Sequence, residues 1–397
     1  MSQNFAWRSG FSPKAILKEF DKIRTLGLAN TSFLAQEYEY WLPILITALK
    51  TANGVDEVEK NGAIRRALND RTVDLNKQNV FPDHCERHYQ QLLARPSIDY
   101  RLFASITYHG PKLINWLADE GKRVFWGPSE KSKFMIKANR ARADTQERRH
   151  RQGVRDPADT LDPIIVHVTA RDIHSAYESG IETLDRLRGL LNLFTNRRVG
   201  PKHSWYTDGP HAINRFRLGP YQTIHKPDGG LAAEIFWYEP RWVHERASMT
   251  SPMGDIGRSQ KAIMGWWHKI QHSPFRKEIV SGLVRYCRAL DQHDHDACLL
   301  GLWQAVEQLA GTCRADYDST VRRAAKVESN TLIGHQLAQH LRIRRNGNVH
   351  AARSPGEDER DMILFQAERL AGEFLLFHIQ NKMKFKSHQE LVAFLDT

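Results

Sequence analysis

An arginine and a histidine with four residues between them, Arg345 and His350, are the side chains of this sequence best suited to chemistry. A guanidinium stays charged at physiological pH and binds a phosphate through paired donors, whereas an imidazole takes or gives a proton near neutrality. Together they suit cleavage of a phosphodiester. The intervening residues 346–348, Asn-Gly-Asn, are poor helix sequence and good turn sequence. We therefore expect the pair to converge at a junction between a loop and a helix.

The segment Arg345–His350 resembles the active-site motif of HEPN-domain ribonucleases, in which an arginine, a following polar residue and a later histidine lie within a helical bundle. Residues 299–309 resemble the earlier helix of that family, which carries an inward-facing acidic residue. The resemblance covers roughly residues 275–395 and is greatest to the ApeA-like branch, often found in bacterial anti-phage systems. It implies a C-terminal HEPN-like helical bundle and a role in defence against phage.

RNA carries its own nucleophile, the 2′-hydroxyl, so its cleavage requires no metal. His350 is the candidate general base or acid, a role that contributes about 10²–10⁴-fold. Arg345 is the candidate for holding the scissile phosphate and stabilising its developing charge. Asn346, at the family's polar position, is expected to orient the phosphate or the backbone. The expected products carry a 2′,3′-cyclic phosphate and a 5′-hydroxyl.

A single imidazole cannot act as base and acid on opposite sides of one phosphate at the same instant. A two-fold dimer solves this, because an isologous contact brings two copies of the motif into one cleft. The family resemblance implies such a paired site. We therefore expect a homodimer formed through the C-terminal bundle.

Four further residues are candidates near the motif. Glu307 lies on an apolar helix and is expected either to form a salt bridge with Arg345 or to lie on the surface. Arg342 and Arg344 either extend the phosphate-binding surface or face solvent. Arg353 follows the histidine by three residues, one turn if the helix continues, and is a candidate second RNA contact.

Composition favours a globular protein with a polyanionic partner. The chain has 397 residues, 41% of them hydrophobic, and a formal net charge of +11. This is long enough for two or three domains, and the charge favours nucleic acid, although charge alone does not separate RNA, DNA and anionic lipid. No apolar run approaches the roughly 20 residues of a membrane span, and residues 1–8 lack the apolar stretch of a signal peptide. We expect a cytoplasmic protein without a membrane partner.

The patterning predicts a mainly α fold in four regions. These are a helical N-terminal region over 1–128, a basic linker over 129–160, a middle α+β region over 161–272 and a HEPN-like helical bundle over 273–397. The basic segment is expected either to be a solvated connection or to hold an RNA backbone through salt-sensitive phosphate contacts. Its cations are Lys131, Lys133, Lys137, Arg140, Arg142, Arg148, Arg149, Arg151 and Arg155.

In the middle region, the β-branched run at 164–168 precedes a predicted helix over 170–194. Two strand-like segments, 213–218 and 231–238, flank the turn-forming residues 226–230, which predicts a β-hairpin. Further helices are predicted in the C-terminal region, which implies a compact bundle of four or five. They span 275–290, 294–312, 329–342, 348–353 with its continuation, and 357–381.

Several other patterns are interpreted as structural. Residues 293–298 contain His, Asp and Cys but favour a polar turn with helix caps over a metal site. Residues 254–259 contain two glycines without a Walker lysine. The aromatic pair 266–267 and the run 236–238 are expected in the core or at a domain interface rather than stacked on bases. Cys85, Cys287, Cys298 and Cys313 have no CxxC spacing and are expected to be free, buried thiols. We expect neither metal nor cofactor.

Three functions follow from these patterns. The first is a metal-independent HEPN endoribonuclease acting on RNA, with tRNA as one candidate, whose first two-thirds sense a phage or cellular trigger or select the substrate. The second is a non-catalytic HEPN-type module that binds RNA or a partner. The third is a basic DNA-binding regulator, which ranks last because the sequence has no recognisable helix-turn-helix signature.

Overall fold

The structure is a computed structural model that describes most of the chain. At positions 35, 348–350 and 357–359 it describes the backbone alone. The described residues are 4–27, 31–52, 55, 57–107, 112–129, 132–154, 161–196, 213–239, 242, 255–312, 316–328, 330–350 and 357–397. Over these residues the fold is mainly α with a small β part, which confirms the predicted class. None of the described helices is both long and apolar enough to cross a membrane.

The chain forms two compact units. The smaller unit comprises residues 1–100 and 169–179, and the larger comprises 101–168 and 180–397. The division falls inside two strands, 98–106 and 162–170, and inside the helix over 173–196, each of which begins in one unit and ends in the other. It therefore differs from the four consecutive regions expected from sequence patterning.

The smaller unit consists mainly of four helices and two small antiparallel pairs of strands. The helices bury one apolar face each around Leu17, Phe20, Leu45, Ile64 and Phe81. Its elements are α1 (Pro13–Ile23), α2 (Ala35–Ala48), α3 (Glu57–Asn69), α4 (Phe81–Leu93), β1 (Phe5–Trp7) paired with β4 (Leu49–Thr51), and β2 (Arg24–Leu26) paired with β3 (Thr31–Phe33).

A six-stranded sheet has the order β10-β9-β5-β8-β7-β6. Its strands come from four separated stretches of sequence, so local periodicity could not predict their order. They are β5 (Ile98–Ile106), β6 (Trp116–Asp119), β7 (Lys122–Trp126), β8 (Asp162–Ala170), β9 (Tyr221–His225) and β10 (Leu231–Tyr238).

The predicted hairpin is present, with β9 rather than residues 213–218 as its first strand. Asp228 and Gly229 suit the turn between its strands. The Asp228 side chain accepts from the backbone N–H of Gly230 at 2.9 Å, and Gly229 has φ +97°, which favours glycine. Residues 213–218 instead follow α7 (Ile173–Asn196), where the Asn214 side chain donates to the Cys287 carbonyl at 3.3 Å.

The segment expected to be a basic linker forms two helices, α5 (Lys133–Ala143) and α6 (Gln146–Arg151). Arg142 and Arg149 are buried, with guanidinium carbons 4.1 Å and 3.9 Å from the ring centre of Tyr221 on the sheet. Cation–π contacts and burial make residues 133–151 part of the folded unit, so over these residues the segment is not a solvated connection.

The C-terminal part of the larger unit is a helical bundle. Asp255, Asp294, Asp316 and Ser387 cap helix starts through their side-chain oxygens. The predicted helices over 275–290, 294–312 and 357–381 are confirmed. The helices are α8 (Ile256–Gln271), α9 (Arg276–Leu290), α10 (His295–Leu309), α11 (Tyr317–Ala325), α12 (Thr331–His350), α13 (Glu357–Gln380) and α14 (His388–Leu395).

Helix α12 runs without interruption through the arginine–histidine motif. The expected helix end at 342 and the break at 346–348 are therefore wrong. A glycine in a helix costs only about 1 kcal/mol relative to alanine. Burial of Ala338 and Leu341, where α12 packs on α10 and α11, outweighs that cost.

Candidate functional site

Three helices position the polar side chains around the motif. Glu307 lies in the last turn of α10, Tyr317 is the first residue of α11, and Arg345 and Asn346 lie in the second half of α12. Helix α12 packs on both α10 and α11. Residues far apart in sequence therefore meet in one cluster.

The Arg345 guanidinium is bound by neutral groups. Its Nη1 donates to the hydroxyl oxygen of Tyr317 at 2.9 Å and to Oδ1 of Asn346 at 3.0 Å. Its central carbon lies 5.0 Å from the centre of the Tyr317 ring, within range of a cation–π contact. Its Nε is buried and donates no hydrogen bond. Within the described residues, no carboxylate forms an ion pair with it.

Glu307 lies near Arg345 but does not close the expected salt bridge within the described part of the chain. Its Oε1 accepts from Trp303 Nε1 at 2.8 Å. Burial raises the pKa of the Glu307 carboxyl, and the hydrogen bond from Trp303 and the charge of Arg345 act in the opposite direction. Among the described residues, Glu307 is therefore not an ion-pair partner of Arg345. It is also not a fully exposed residue, because it is half-buried.

The three flanking arginines have different surroundings. Arg342 forms an ion pair with Asp318, and its central carbon lies 5.7 Å from the centre of the Tyr317 ring. Arg344 is half-buried. Arg353 lies outside the described residues. Of the predicted substrate-binding residues, Arg342 joins the Tyr317 cluster.

The backbone at position 350 is helical, and the side chain of His350 lies outside the description. Five residues along a continuous α-helix correspond to a rotation of about 140° around its axis. The turn that was expected to bring Arg345 and His350 together within one chain is therefore absent.

Tyr317 and Asp318 were not identified from the sequence as site residues. They precede the motif by more than twenty residues and match no element of it. The one local signal was Asp316 followed by Ser319, the spacing of a helix cap, and Oδ1 of Asp316 accepts from the Ser319 N–H at 3.1 Å. That signal predicts a helix start and not the aromatic contact with arginine.

The segment 293–298 forms a polar turn with a helix cap, as predicted. Asp294 Oδ1 accepts from the Ala297 N–H at 2.8 Å, and His295 lies 3.7 Å from a carboxylate oxygen of Asp361. Over the described residues, no group of three or more His, Cys, Asp or Glu side chains is arranged to hold a metal ion.

Of the aromatic pair at 266–267, Trp267 is buried and Trp266 is half-buried. Trp267 is buried and donates from Nε1 to the Ala118 carbonyl at 3.0 Å, and the Trp266 ring centre lies 5.6 Å from that of Phe194. These contacts agree with the core interpretation for Trp267. In the run 236–238, Phe236 and Trp237 are half-buried and Tyr238 is exposed, so the core expectation is wrong there.

Cys85, Cys287 and Cys298 are free and buried, as expected. Burial raises the pKa of each of these thiols, so none is activated as a nucleophile. Cys313 lies outside the described residues.

Comparisons with protein-family models, curated proteins and solved structures found nothing that matches this chain.

Proposed function

We propose that the protein is a metal-independent endoribonuclease that cleaves RNA by attack of the 2′-hydroxyl, in the manner of HEPN ribonucleases, and that it acts in bacterial anti-phage defence. One observation carries the proposal. Arg345 lies on the same helix as His350, and neutral groups bind its guanidinium. A guanidinium so held keeps its full charge for an incoming phosphate.

In this proposal Arg345 binds the scissile phosphate and stabilises the negative charge that develops on it. His350 transfers the proton of the 2′-hydroxyl or of the departing 5′-oxygen. Because the continuous helix separates positions 345 and 350 around its axis, the two groups that act on one phosphate come from different subunits. The products carry a 2′,3′-cyclic phosphate and a 5′-hydroxyl.

Exposed apolar side chains on α12 support a dimer through the helix that carries the motif. Leu332, Ile333 and Ile343 are 72%, 63% and 60% exposed. Large apolar residues concentrated on one helix are typical of a protein interface. An isologous contact through the face that carries Ile343 would bring two copies of position 350 together, because seven residues of a continuous helix return to within about 20° of the same face.

The direct test incubates the protein with total cellular RNA and with tRNA in excess chelator, and then maps new RNA ends. We expect cyclic-phosphate ends with the wild type, a loss of about 10²–10⁴-fold in rate for His350→Ala and about 10²–10³-fold for Arg345→Lys. His335→Ala, an exposed histidine on the same helix, and Arg285→Lys, an exposed arginine on α9, should retain activity.

Cleavage that a chelator abolishes and magnesium restores would refute the mechanism. Equal cleavage by wild type and His350→Ala would refute the assigned role of the histidine. Salt-sensitive RNA binding without new ends would favour the alternative, a non-catalytic HEPN-type RNA-binding module.

A further inference from the structure

We infer that Tyr317 is a positioning residue, which holds the guanidinium of Arg345 in the orientation that receives the scissile phosphate; this inference rests on the proposed function. No motif resemblance includes Tyr317. Its assignment comes from its contacts, which join the start of α11 to the second half of α12.

Arg345 differs from those arginines of the larger unit that pair with carboxylates. Arg186 Nη1 donates to Asp119 Oδ2 at 2.6 Å, and Arg188 Nη2 lies 3.0 Å from Asp291 Oδ2. Carboxylates neutralise those guanidiniums and occupy their donors. Tyr317 orients Arg345 through one Nη1 hydrogen bond, and no carboxylate of the described residues forms an ion pair with this guanidinium. That arrangement is suited to a ligand with an anionic oxygen.

The tyrosine also contacts a second cation. The central carbon of Arg342 lies 5.7 Å from the centre of the Tyr317 ring, compared with 5.0 Å for Arg345. One ring therefore organises two guanidiniums. The backbone that carries the ring is fixed at the start of α11, where Asp316 caps the helix.

The hydroxyl and the ring can be tested separately. Tyr317→Phe keeps the ring and removes the acceptor of Arg345, whereas Tyr317→Leu removes both. For RNA cleavage in chelator, we expect Tyr317→Phe to lower kcat about ten-fold, at the low end for a hydrogen bond to a charged group, with KM little changed. Tyr317→Leu should lower it further. Tyr40→Phe, the same change at an exposed tyrosine on α2, is the matched control and should behave as wild type.

A double-mutant cycle separates positioning from a merely structural role. If Tyr317 acts through Arg345, then Tyr317→Phe should have no further effect on kcat in an Arg345→Lys background. Unchanged urea midpoints for all variants would exclude loss of folding as the cause. Independent, multiplicative effects of the two substitutions, or wild-type kcat in Tyr317→Phe, would overturn the inference.

A measurement that needs no catalysis distinguishes failure of this inference from failure of the proposed function. In protein labelled with ¹⁵N-arginine, relaxation of the Arg345 Nε–H, assigned by its loss in Arg345→Lys, reports the order of the guanidinium without RNA. Increased mobility in Tyr317→Phe supports positioning even if the wild type cleaves no RNA. Equal mobility in wild type and Tyr317→Phe overturns it.

Discussion

The polar cluster around Tyr317 contains one cation bound by neutral groups and one bound by an acid. Arg345 donates to the tyrosine hydroxyl and to Asn346, whereas Arg342 forms an ion pair with Asp318. Asp318 is 84% exposed, so this pair contributes only about 0–1 kcal/mol to stability. An RNA phosphate could displace such a weak partner.

Removal of the carboxylate at position 318 should strengthen RNA binding. Asp318→Asn frees the Arg342 guanidinium and removes a negative charge that repels phosphate. The energy of an exposed pair corresponds to an affinity gain of up to about five-fold. The affinity of wild type and Asp318→Asn for RNA is measured by fluorescence anisotropy at low salt, with an oligonucleotide that 2′-deoxy substitution makes uncleavable.

Asp21→Asn, the same change of charge at an exposed residue of α1, is the control for net charge. Equal gains in both variants would assign the effect to overall charge. Unchanged or weaker binding in Asp318→Asn would show that Arg342 does not contact RNA.

At the scale of elements, the continuity of α12 is the feature most open to test, because the sequence favoured a turn at the same place. Apart from its chain neighbours and its own stretch of helix backbone, no atom of the described residues lies within 4 Å of a Cβ built on Gly347. On the same helix, a Cβ at Gly334 would lie 2.8 Å from the carbonyl oxygen of Ala325. The two glycines therefore respond differently to alanine.

Gly347→Ala should stabilise the protein by about 0.5–1 kcal/mol, because alanine loses less backbone entropy in a helix than glycine. Gly334→Ala should destabilise it, because backbone has to move. Urea unfolding of the two variants beside wild type measures both changes. Destabilisation by Gly347→Ala would argue for a turn conformation at the motif.

A buried histidine joins α13 to the end of α10. His378 Nδ1 lies 2.8 Å from the Phe374 carbonyl oxygen, and Nε2 lies 3.1 Å from that of Leu309. Burial is the main cause that lowers the pKa of His378 to about 4. The hydrogen bonds to the Phe374 and Leu309 carbonyls act in the opposite direction, and the neighbouring His388 lowers the pKa further. The unfolded chain therefore binds a proton at higher pH than the folded chain does.

Stability from neutral His378 is fully present above the unfolded pKa of about 6.5 and is lost as the pH falls towards 4. The difference between the pKa values of His378 in the unfolded and folded chain corresponds to a loss on the order of 3 kcal/mol in the free energy of unfolding. Urea unfolding between pH 4 and pH 7 should show a steeper loss for wild type than for His378→Gln. The exposed-site control His335→Gln should follow wild type, and parallel curves for wild type and His378→Gln would contradict the assignment.

For the whole molecule, the proposed paired site requires association through α12. Ile343→Asp should convert a dimer to a monomer, because a charge placed in a buried apolar interface is costly. Light scattering coupled to size-exclusion chromatography measures the mass. Ile136→Asp on α5, where Ile136 is also 60% exposed, should leave the mass unchanged.

A wild-type monomer, or a dimer that survives Ile343→Asp, would argue against this interface. RNA cleavage that remains at wild-type level in a monomeric variant would argue against a site shared by two subunits.

Local patterns in the sequence determined much of the helical architecture. Helices α9, α10 and α13 bury apolar faces with helical spacing, and residues 226–230 form the expected turn. The residue types at Arg345 and His350 also defined the candidate chemistry without a structure. These features follow from neighbours in sequence, through periodicity, turn preference and the charge of each group.

Tertiary structure decided what local preference could not. It ordered six strands from distant segments, continued α12 through Asn-Gly-Asn and placed Tyr317 against Arg345. Helix propensities differ by about 1 kcal/mol or less for residues other than proline, so the packing of α12 on its neighbours overrides them. The contact of Tyr317 with Arg345 joins residues of two helices, and no short-range pattern encodes such a pairing.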